Sequence, residues 1–378
     1  MMEYHYEALP MMVNMLLFAA MVTPYFRHTY LGKSWNHPCP TYEIRPIYYR
    51  WALLIIAYCT FGFSDRDFFH YQALYEEIVK HGPEHMEPVY IWLIDVLPKN
   101  YYVWRFTVWG AATLSTLWTF RRLRLETKTL ECIFTLYFLM VLSIMRGNLG
   151  LGLCFLGFTF IVKPIKYQKL WSYILGMGLI ISSYFFHKSM FVTLMALAVT
   201  PFRLKKWQVI ILLLLFPLLV MYVADWLQLF IASAGDEGGE LDSLAIGARY
   251  AEAEASETNI FGMLPKFLQY TPIVGSLSLV TYHVTFRRER LPKYIYVFYI
   301  YWFAVTYVSF LFFFQNTSNW LFIRFMFMSY IPMIIVLTWF YSNRKATGLM
   351  KFFLVMILLY NIYKLCYEFY WRIREIGL

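Results

Sequence analysis

The feature that most constrains the fold is one long apolar stretch, residues 130–201, which is interrupted at two places. Within residues 132–162 the only charged residue is Arg146. A helix of about 31 residues would be roughly 46 Å long, whereas the hydrocarbon core of a bilayer is about 30 Å thick. Because Gly147 and Asn148 follow the charge and are poor helix formers, the sequence predicts that the helix breaks there.

The second interruption is His187-Lys188, near the middle of residues 170–201. Basic residues flank both halves of the stretch: Arg121, Arg122, Arg124 and Lys128, then Lys163, Lys166 and Lys169, then Arg203, Lys205 and Lys206. The positive-inside rule puts these bases in the cytoplasm. Both interruptions are therefore predicted to lie toward the external face.

The composition excludes an ordinary soluble domain. Of the residues, 60% are hydrophobic, 21% aromatic and 15% charged, and the mean hydropathy is +0.51. The net charge of +10 is carried largely by short loops between apolar runs. There it is better explained by membrane orientation and anionic lipid than by nucleic acid. The five cysteines have no disulfide or metal-site spacing.

Apolar runs along the whole chain predict an all-α, polytopic membrane bundle of about twelve transmembrane helices, with both termini outside. We expect one membrane domain, residues 1–378, with two external polar segments at residues 64–100 and 232–262. In the first segment, residues 67–80 have apolar side chains at helical spacing, which predicts an amphipathic surface helix. Residues 89–97 are too short to span, and Glu87-Pro88 could start a helix there.

This topology collects charged residues from distant segments at the external face: Asp65, Arg66, Asp67, Arg146, His187, Lys188, Arg249 and Arg324. Several cations at the outer boundary of the hydrocarbon suit a lipid diphosphate. Arginine binds phosphate with two parallel N–H donors, and it stays charged in surroundings of low polarity. If the diphosphate is a leaving group, the same cations stabilise its developing charge.

Each of these residues also has a structural interpretation. The side chain of an arginine near a helix end, such as Arg146 or Arg324, can reach along the helix and place its guanidinium at the membrane–water interface. His187 could be a packed, hydrogen-bonded side chain. The Asp65-Arg66-Asp67 string could hold a divalent metal, but short strings occur by chance, and Asp67 could instead cap the following helix.

Five short motifs in a fixed order carry a family resemblance: DFFHYQALYEE with Asp67, Tyr71 and Tyr75, then Glu87-Pro88, MRGNLGLGLCFLGF, FFHKSMFV, and IRFMFMSYIP with Arg324. The chain resembles the EpsG-like family of bacterial exopolysaccharide polymerases, relatives of the Wzy-type O-antigen and capsule polymerases. It departs from the family at Gly147, where glutamine is frequent, and at Gly150, where alanine is usual.

The resemblance implies a multi-pass glycosyltransferase of the bacterial cytoplasmic membrane, with a GT-C-like architecture. It would join oligosaccharide repeat units carried on undecaprenyl diphosphate at the external face, without a cofactor or metal. Arg146, Arg249, Arg324 and Lys188 would hold the diphosphate, and Asp67 or His187 would be the base. Tyr71, Glu87 and Arg66 would be further substrate contacts. Expected partners are the lipid-linked oligosaccharide, membrane lipid, a flippase and a chain-length regulator.

Other functions remain open at this point. A flippase or exporter of the lipid-linked sugar also needs cations, but would have charges accessible from both faces. An O-antigen-ligase-like transferase would use the same donor with a different acceptor. A non-catalytic assembly partner would leave the intramembrane Arg146 unexplained.

The predicted topology can be tested by cysteine labelling. If residues 64–100 and 232–262 are external, Glu77→Cys and Glu237→Cys should react with a membrane-impermeant thiol reagent in intact cells. Labelling that requires permeabilised cells would contradict the external placement of both segments.

Overall fold

The computed structural model describes residues 13, 15–21, 46–61, 67–82, 87–140, 145–187, 190, 193, 197–198, 201–234, 260–313, 319–343 and 348–376, in some places by the backbone only. These residues are largely helical, and no strand occurs among them. The all-α prediction is confirmed for the part of the chain that is described.

The helices follow the apolar and amphipathic runs of the sequence. Their bounds are α1 Pro46–Phe61, α2 Asp67–His81, α3 Pro88–Val96, α4 Tyr101–Leu123, α5 Thr127–Met140, α6 Met145–Val162, α7 Lys169–Phe186, α8 Lys206–Ala234, α9 Ile260–Thr281, α10 Lys293–Phe313, α11 Asn319–Ser342 and α12 Gly348–Ile376. A π-helical turn, Tyr282–Phe286, continues α9.

The chain divides into two compact units. The first comprises Met1–Leu194 and Leu337–Leu378, and the second comprises Met195–Val336. In the first unit, Asn361 of α12 donates a hydrogen bond to the Leu136 carbonyl of α5, at 2.8 Å. In the second, the Tyr307 hydroxyl of α10 donates to the Leu212 carbonyl of α8, at 2.6 Å. The single membrane domain proposed for residues 1–378 stays a prediction.

Helix α6 is the centre of the first unit and packs against both α4 and α7. Glycines permit the close approach. An added Cβ at Gly152 would lie 2.3 Å from the Ser115 Oγ of α4, and one at Gly157 would lie 2.6 Å from the Gly176 carbonyl oxygen of α7. Small residues at the contact are typical of helices that pack within a membrane.

The structure describes residues at both predicted interruptions, whereas residues 141–144 lie outside the described residues. Helix α5 ends at Met140 and α6 begins at Met145, so Gly147 and Asn148 are helical and buried. The prediction of a break at those two residues was wrong. The second interruption is confirmed, because α7 ends at Phe186 and His187 has an extended backbone.

The first polar segment contains the predicted amphipathic helix, and its external placement stays a prediction. In α2, Tyr71, Tyr75 and Ile78 are buried, whereas Glu77 is exposed. The nine-residue helix α3 begins directly after Glu87 with proline in its first turn, which confirms the predicted start at Glu87-Pro88.

Three described helices are long and apolar enough to cross a membrane: Lys169–Phe186, Lys293–Leu311 and Gly348–Tyr367. Three shorter apolar helices are Arg146–Val162, Lys206–Tyr222 and Met326–Ser342. Large apolar side chains such as Leu170, Trp171 and Leu214 are about 70% exposed on α7 and α8, as expected for surfaces that face lipid. The helices are those of a membrane protein, and the number of twelve spans stays a prediction.

The contact between Gly157 and Gly176 gives a matched pair of substitutions. Gly157→Ala should lower the free energy of unfolding by about 1–3 kcal/mol, because its Cβ forces α6 and α7 apart. Gly178→Ala, whose Cβ would meet no atom within 4 Å, should be neutral or stabilising by up to about 1 kcal/mol. Unfolding of the purified protein in detergent measures both, and equal stabilities would contradict the proposed close contact.

Candidate functional site

Arg146 lies in the first turn of α6 and is paired with a carboxylate. Its Nη1 is 2.5 Å from Glu87 Oε2, and its Nε donates a hydrogen bond to the Tyr71 hydroxyl at 3.2 Å. The guanidinium carbon is also 5.3 Å from the centre of the Tyr71 ring. The side chains of Arg146 and Glu87 are 21% and 14% exposed, so the pair lies largely out of solvent but remains reachable.

Local sequence explains why these groups meet. Tyr71 is on the buried face of α2. Glu87 occupies the N-cap position of α3, yet its side chain makes no capping hydrogen bond and pairs with Arg146 instead. The Tyr90 hydroxyl, one turn further along α3, donates to the Arg146 carbonyl oxygen at 3.1 Å. Tyr71, Glu87, Tyr90 and Arg146 are called the Arg146 cluster below.

The Arg146 cluster has the chemistry of an anion site. A guanidinium has five N–H donors and binds carboxylate and phosphate oxygens in the same way. In addition, the N-terminus of α3 lies at the cluster, and helix N-termini favour negative charge. In the structure the anion is the protein's own Glu87 carboxylate. An incoming phosphate could take the place of that carboxylate on Arg146.

His187 follows directly after α7, beside the cluster. Its backbone N–H donates to the Ser183 carbonyl at 3.2 Å, and the residue is half-buried. The ring of the preceding Phe186 lies 6.2 Å from the ring of Tyr90. The end of α7 is therefore next to the residue that hydrogen-bonds Arg146.

The remaining predicted site residues have no described side chains. Asp67 is the first residue of α2 and Arg324 lies in α11, each described by its backbone only. The others fall outside the described residues: Asp65, Arg66, Lys188 and Arg249. Their assigned roles stay predictions.

One buried cation, Arg105 of α4, was missed by the sequence analysis. It is fully buried, its Nε donates to the Cys59 carbonyl of α1 at 2.9 Å, and its Nη1 donates to the Tyr101 hydroxyl at 3.3 Å. A single charge in the apolar run of residues 101–120 was the available signal. Because its donors tie α4 to α1, its observed role is to hold the helices beside the cluster.

Next to the Arg146 cluster lies a group of buried rings, Tyr75, Tyr90, Tyr101 and Trp104, called the aromatic cluster below. The Trp104 ring is 5.7 Å from Tyr75, 6.2 Å from Tyr90 and 6.0 Å from Tyr101. Burial raises the pKa of the Tyr75 hydroxyl, so this group is a hydrogen-bond donor at neutral pH. Tyr90 belongs to both clusters and connects them.

Apolar helices, several of which expose large apolar side chains, define a helical membrane protein. The profile of the EpsG family matches residues 47–371, which is most of the chain, so the chain belongs to the EpsG family. This family consists of glycosyltransferase-like membrane proteins of polysaccharide biosynthesis. No curated protein and no solved structure matches the chain significantly.

The ion pair can be tested by removing one charge. Glu87→Gln should lower the free energy of unfolding by about 1–3 kcal/mol, because it leaves a largely buried guanidinium without its counter-charge. Glu77→Gln, at an exposed position of α2, is the matched control and should change stability by less than about 0.5 kcal/mol. If thermal unfolding in detergent gives the same result for both variants, Glu87 does not stabilise Arg146.

Proposed function

We propose that the protein is a polysaccharide polymerase that joins oligosaccharide repeat units carried on undecaprenyl diphosphate. The reaction takes place at the external face of the bacterial cytoplasmic membrane, in a bundle of about twelve spans. The product serves an exopolysaccharide, capsule or O-antigen. The proposal is supported by membership of the EpsG family together with one structural observation, the pairing of Arg146 with Glu87 at the start of α6.

This pairing supports a diphosphate donor for a physical reason. A cation at the edge of a membrane is stable there only with an anionic or hydrogen-bonding partner. Glu87, the N-cap residue of the short helix α3, supplies that partner in the structure. A substrate diphosphate would compete for the same N–H donors, and Glu87 would move aside as the phosphate binds.

In the proposed reaction, a hydroxyl of the acceptor sugar attacks the anomeric carbon of the donor. The new glycosidic C–O bond forms as the bond from that carbon to the phosphate oxygen breaks. The electron pair of the broken bond leaves with the diphosphate, where Arg146 stabilises the developing charge. The acceptor's proton passes to a base, Asp67 or His187. No metal is required, since the guanidinium supplies the positive charge.

The further assignments made from the sequence are kept as proposals. Arg249, Arg324 and Lys188 are assigned to the diphosphate, and Tyr71 and Arg66 to other parts of the substrate. A flippase that delivers the donor and a regulator of chain length are the expected partners.

The function is tested by the length of lipid-linked glycans in cells that lack this protein. We expect single repeat units to accumulate at the external face, and a plasmid copy of the wild type to restore polymer. An Arg146→Lys copy should keep the fold but lose most polymer, because lysine cannot bind two phosphate oxygens in parallel.

Two outcomes would contradict the proposal. Loss of lipid-linked units from the outer leaflet would indicate a flippase. Normal chain lengths with Arg146→Lys, at equal expression, would exclude Arg146 from diphosphate binding.

The base is identified by comparing Asp67→Ser with His187→Gln. Serine is tolerated at the start of a helix but cannot act as a base at neutral pH, and proton removal in the transition state typically contributes about 10²–10⁴-fold. The variant that removes the base should therefore make only single units, while the other polymerises. Normal polymer from both variants, checked for expression, would exclude both residues as the base.

A further inference from the structure

Two buried hydrogen-bond donors beside the Arg146 cluster have no acceptor. The side chains of Tyr75 and Trp104 are 4% and 0% exposed, and within the described part of the chain neither the Tyr75 hydroxyl nor the Trp104 indole N–H has a partner. Their ring centres are 5.7 Å apart, so the two unsatisfied groups belong to one location. Buried donors nearly always find an acceptor, because leaving one unsatisfied is destabilising.

The other polar groups of the aromatic cluster are satisfied. The Tyr90 hydroxyl donates to the Arg146 carbonyl oxygen at 3.1 Å, and the Tyr101 hydroxyl accepts from Arg105 at 3.3 Å. Unsatisfied donors are therefore not a general property of this cluster. They occur at the two neighbouring side chains that contact each other.

The position of these donors relates them to the anion site. Tyr75 is four residues, about 6 Å, along α2 from Tyr71, which hydrogen-bonds the Arg146 guanidinium. Trp104 contacts the ring of Tyr90, which hydrogen-bonds the Arg146 backbone. Each donor therefore adjoins a side chain that itself hydrogen-bonds Arg146, Tyr71 for Tyr75 and Tyr90 for Trp104.

We infer that Tyr75 and Trp104 donate hydrogen bonds to a sugar unit of the lipid-linked substrate, an inference that rests on the proposed function. The donors are neutral, so they suit hydroxyl and ring oxygens, whereas the charge of a phosphate is met by Arg146. Aromatic rings with a polar edge can pack against an apolar ring face and bond its oxygens at the same time. The sugar next to the diphosphate supplies both kinds of surface.

The experiment uses two probes on the full-length protein in detergent. The first is undecaprenyl diphosphate, which carries no sugar. The second is the oligosaccharide that mild acid releases from the lipid-linked pool of cells that lack the protein. Its binding is measured by saturation-transfer NMR. Tyr75→Phe is the main variant, since it removes only the hydroxyl. Tyr102→Phe, at an exposed position of α4, is its matched control.

Tyr75→Phe should weaken binding of the released oligosaccharide about three- to tenfold, the change expected for one hydrogen bond. Binding of undecaprenyl diphosphate should stay within about twofold of the wild type. The Tm should stay the same or rise, because phenylalanine fills the same space without an unsatisfied hydroxyl. Tyr102→Phe should change neither affinity. Trp104→Phe repeats the test, with Trp118→Phe, exposed on the same helix, as control.

Equal oligosaccharide affinity for Tyr75→Phe and the wild type would overturn the inference, as would an equal loss in Tyr102→Phe. The two probes also distinguish failure of the sugar site from failure of the proposed diphosphate donor. If the wild type binds the oligosaccharide through Tyr75 but does not bind undecaprenyl diphosphate, the sugar site stands and the diphosphate donor is wrong. If it binds only undecaprenyl diphosphate, the proposed donor stands and the sugar site is wrong.

Discussion

The structure around the candidate site depends on how a single guanidinium is accommodated at the edge of an apolar helix. Arg146 cannot lie in hydrocarbon alone, and the protein surrounds it with a carboxylate, a hydroxyl and an aromatic face. These come from α2 and from the residue that starts α3. The requirement to neutralise one charge therefore holds the amphipathic helix α2 and the start of α3 against the central helix α6.

The packing of α6 provides the rigid base for this arrangement. Gly152 and Gly157 let α4 and α7 approach its backbone, and Arg105 ties α4 to the carbonyl of Cys59 in α1. Because α6 is fixed from two sides, the position of Arg146 at its first turn is also fixed. Preorganised donors stabilise developing charge without moving during the reaction, which is the property that transfer from a diphosphate requires.

Sequence reasoning succeeded where one physical signal dominated. Helical periodicity predicted α2 and its buried face, and Glu87-Pro88 predicted the start of α3. A lone charge identified Arg146. It failed at Gly147 and Asn148, because low helix propensity does not distinguish a break from a site of close packing. Tyr71 and Glu87 were predicted only as substrate contacts, and their direct pairing with Arg146 was not predicted, because it depends on how distant segments pack. Arg105, Tyr90 and the unsatisfied donors of Tyr75 and Trp104 were not identified, because burial and pairing are properties of the folded chain.

The central claim is that Glu87 occupies the position of a substrate phosphate on Arg146, and competition measures it directly. Binding of undecaprenyl diphosphate should be compared between the purified wild type, Glu87→Gln and Arg146→Gln. Removing the competing carboxylate should tighten binding in Glu87→Gln, by about tenfold if the displaced pair is worth roughly 1.4 kcal/mol, and Arg146→Gln should abolish it. Equal or weaker binding by Glu87→Gln, or full binding by Arg146→Gln, would contradict the account.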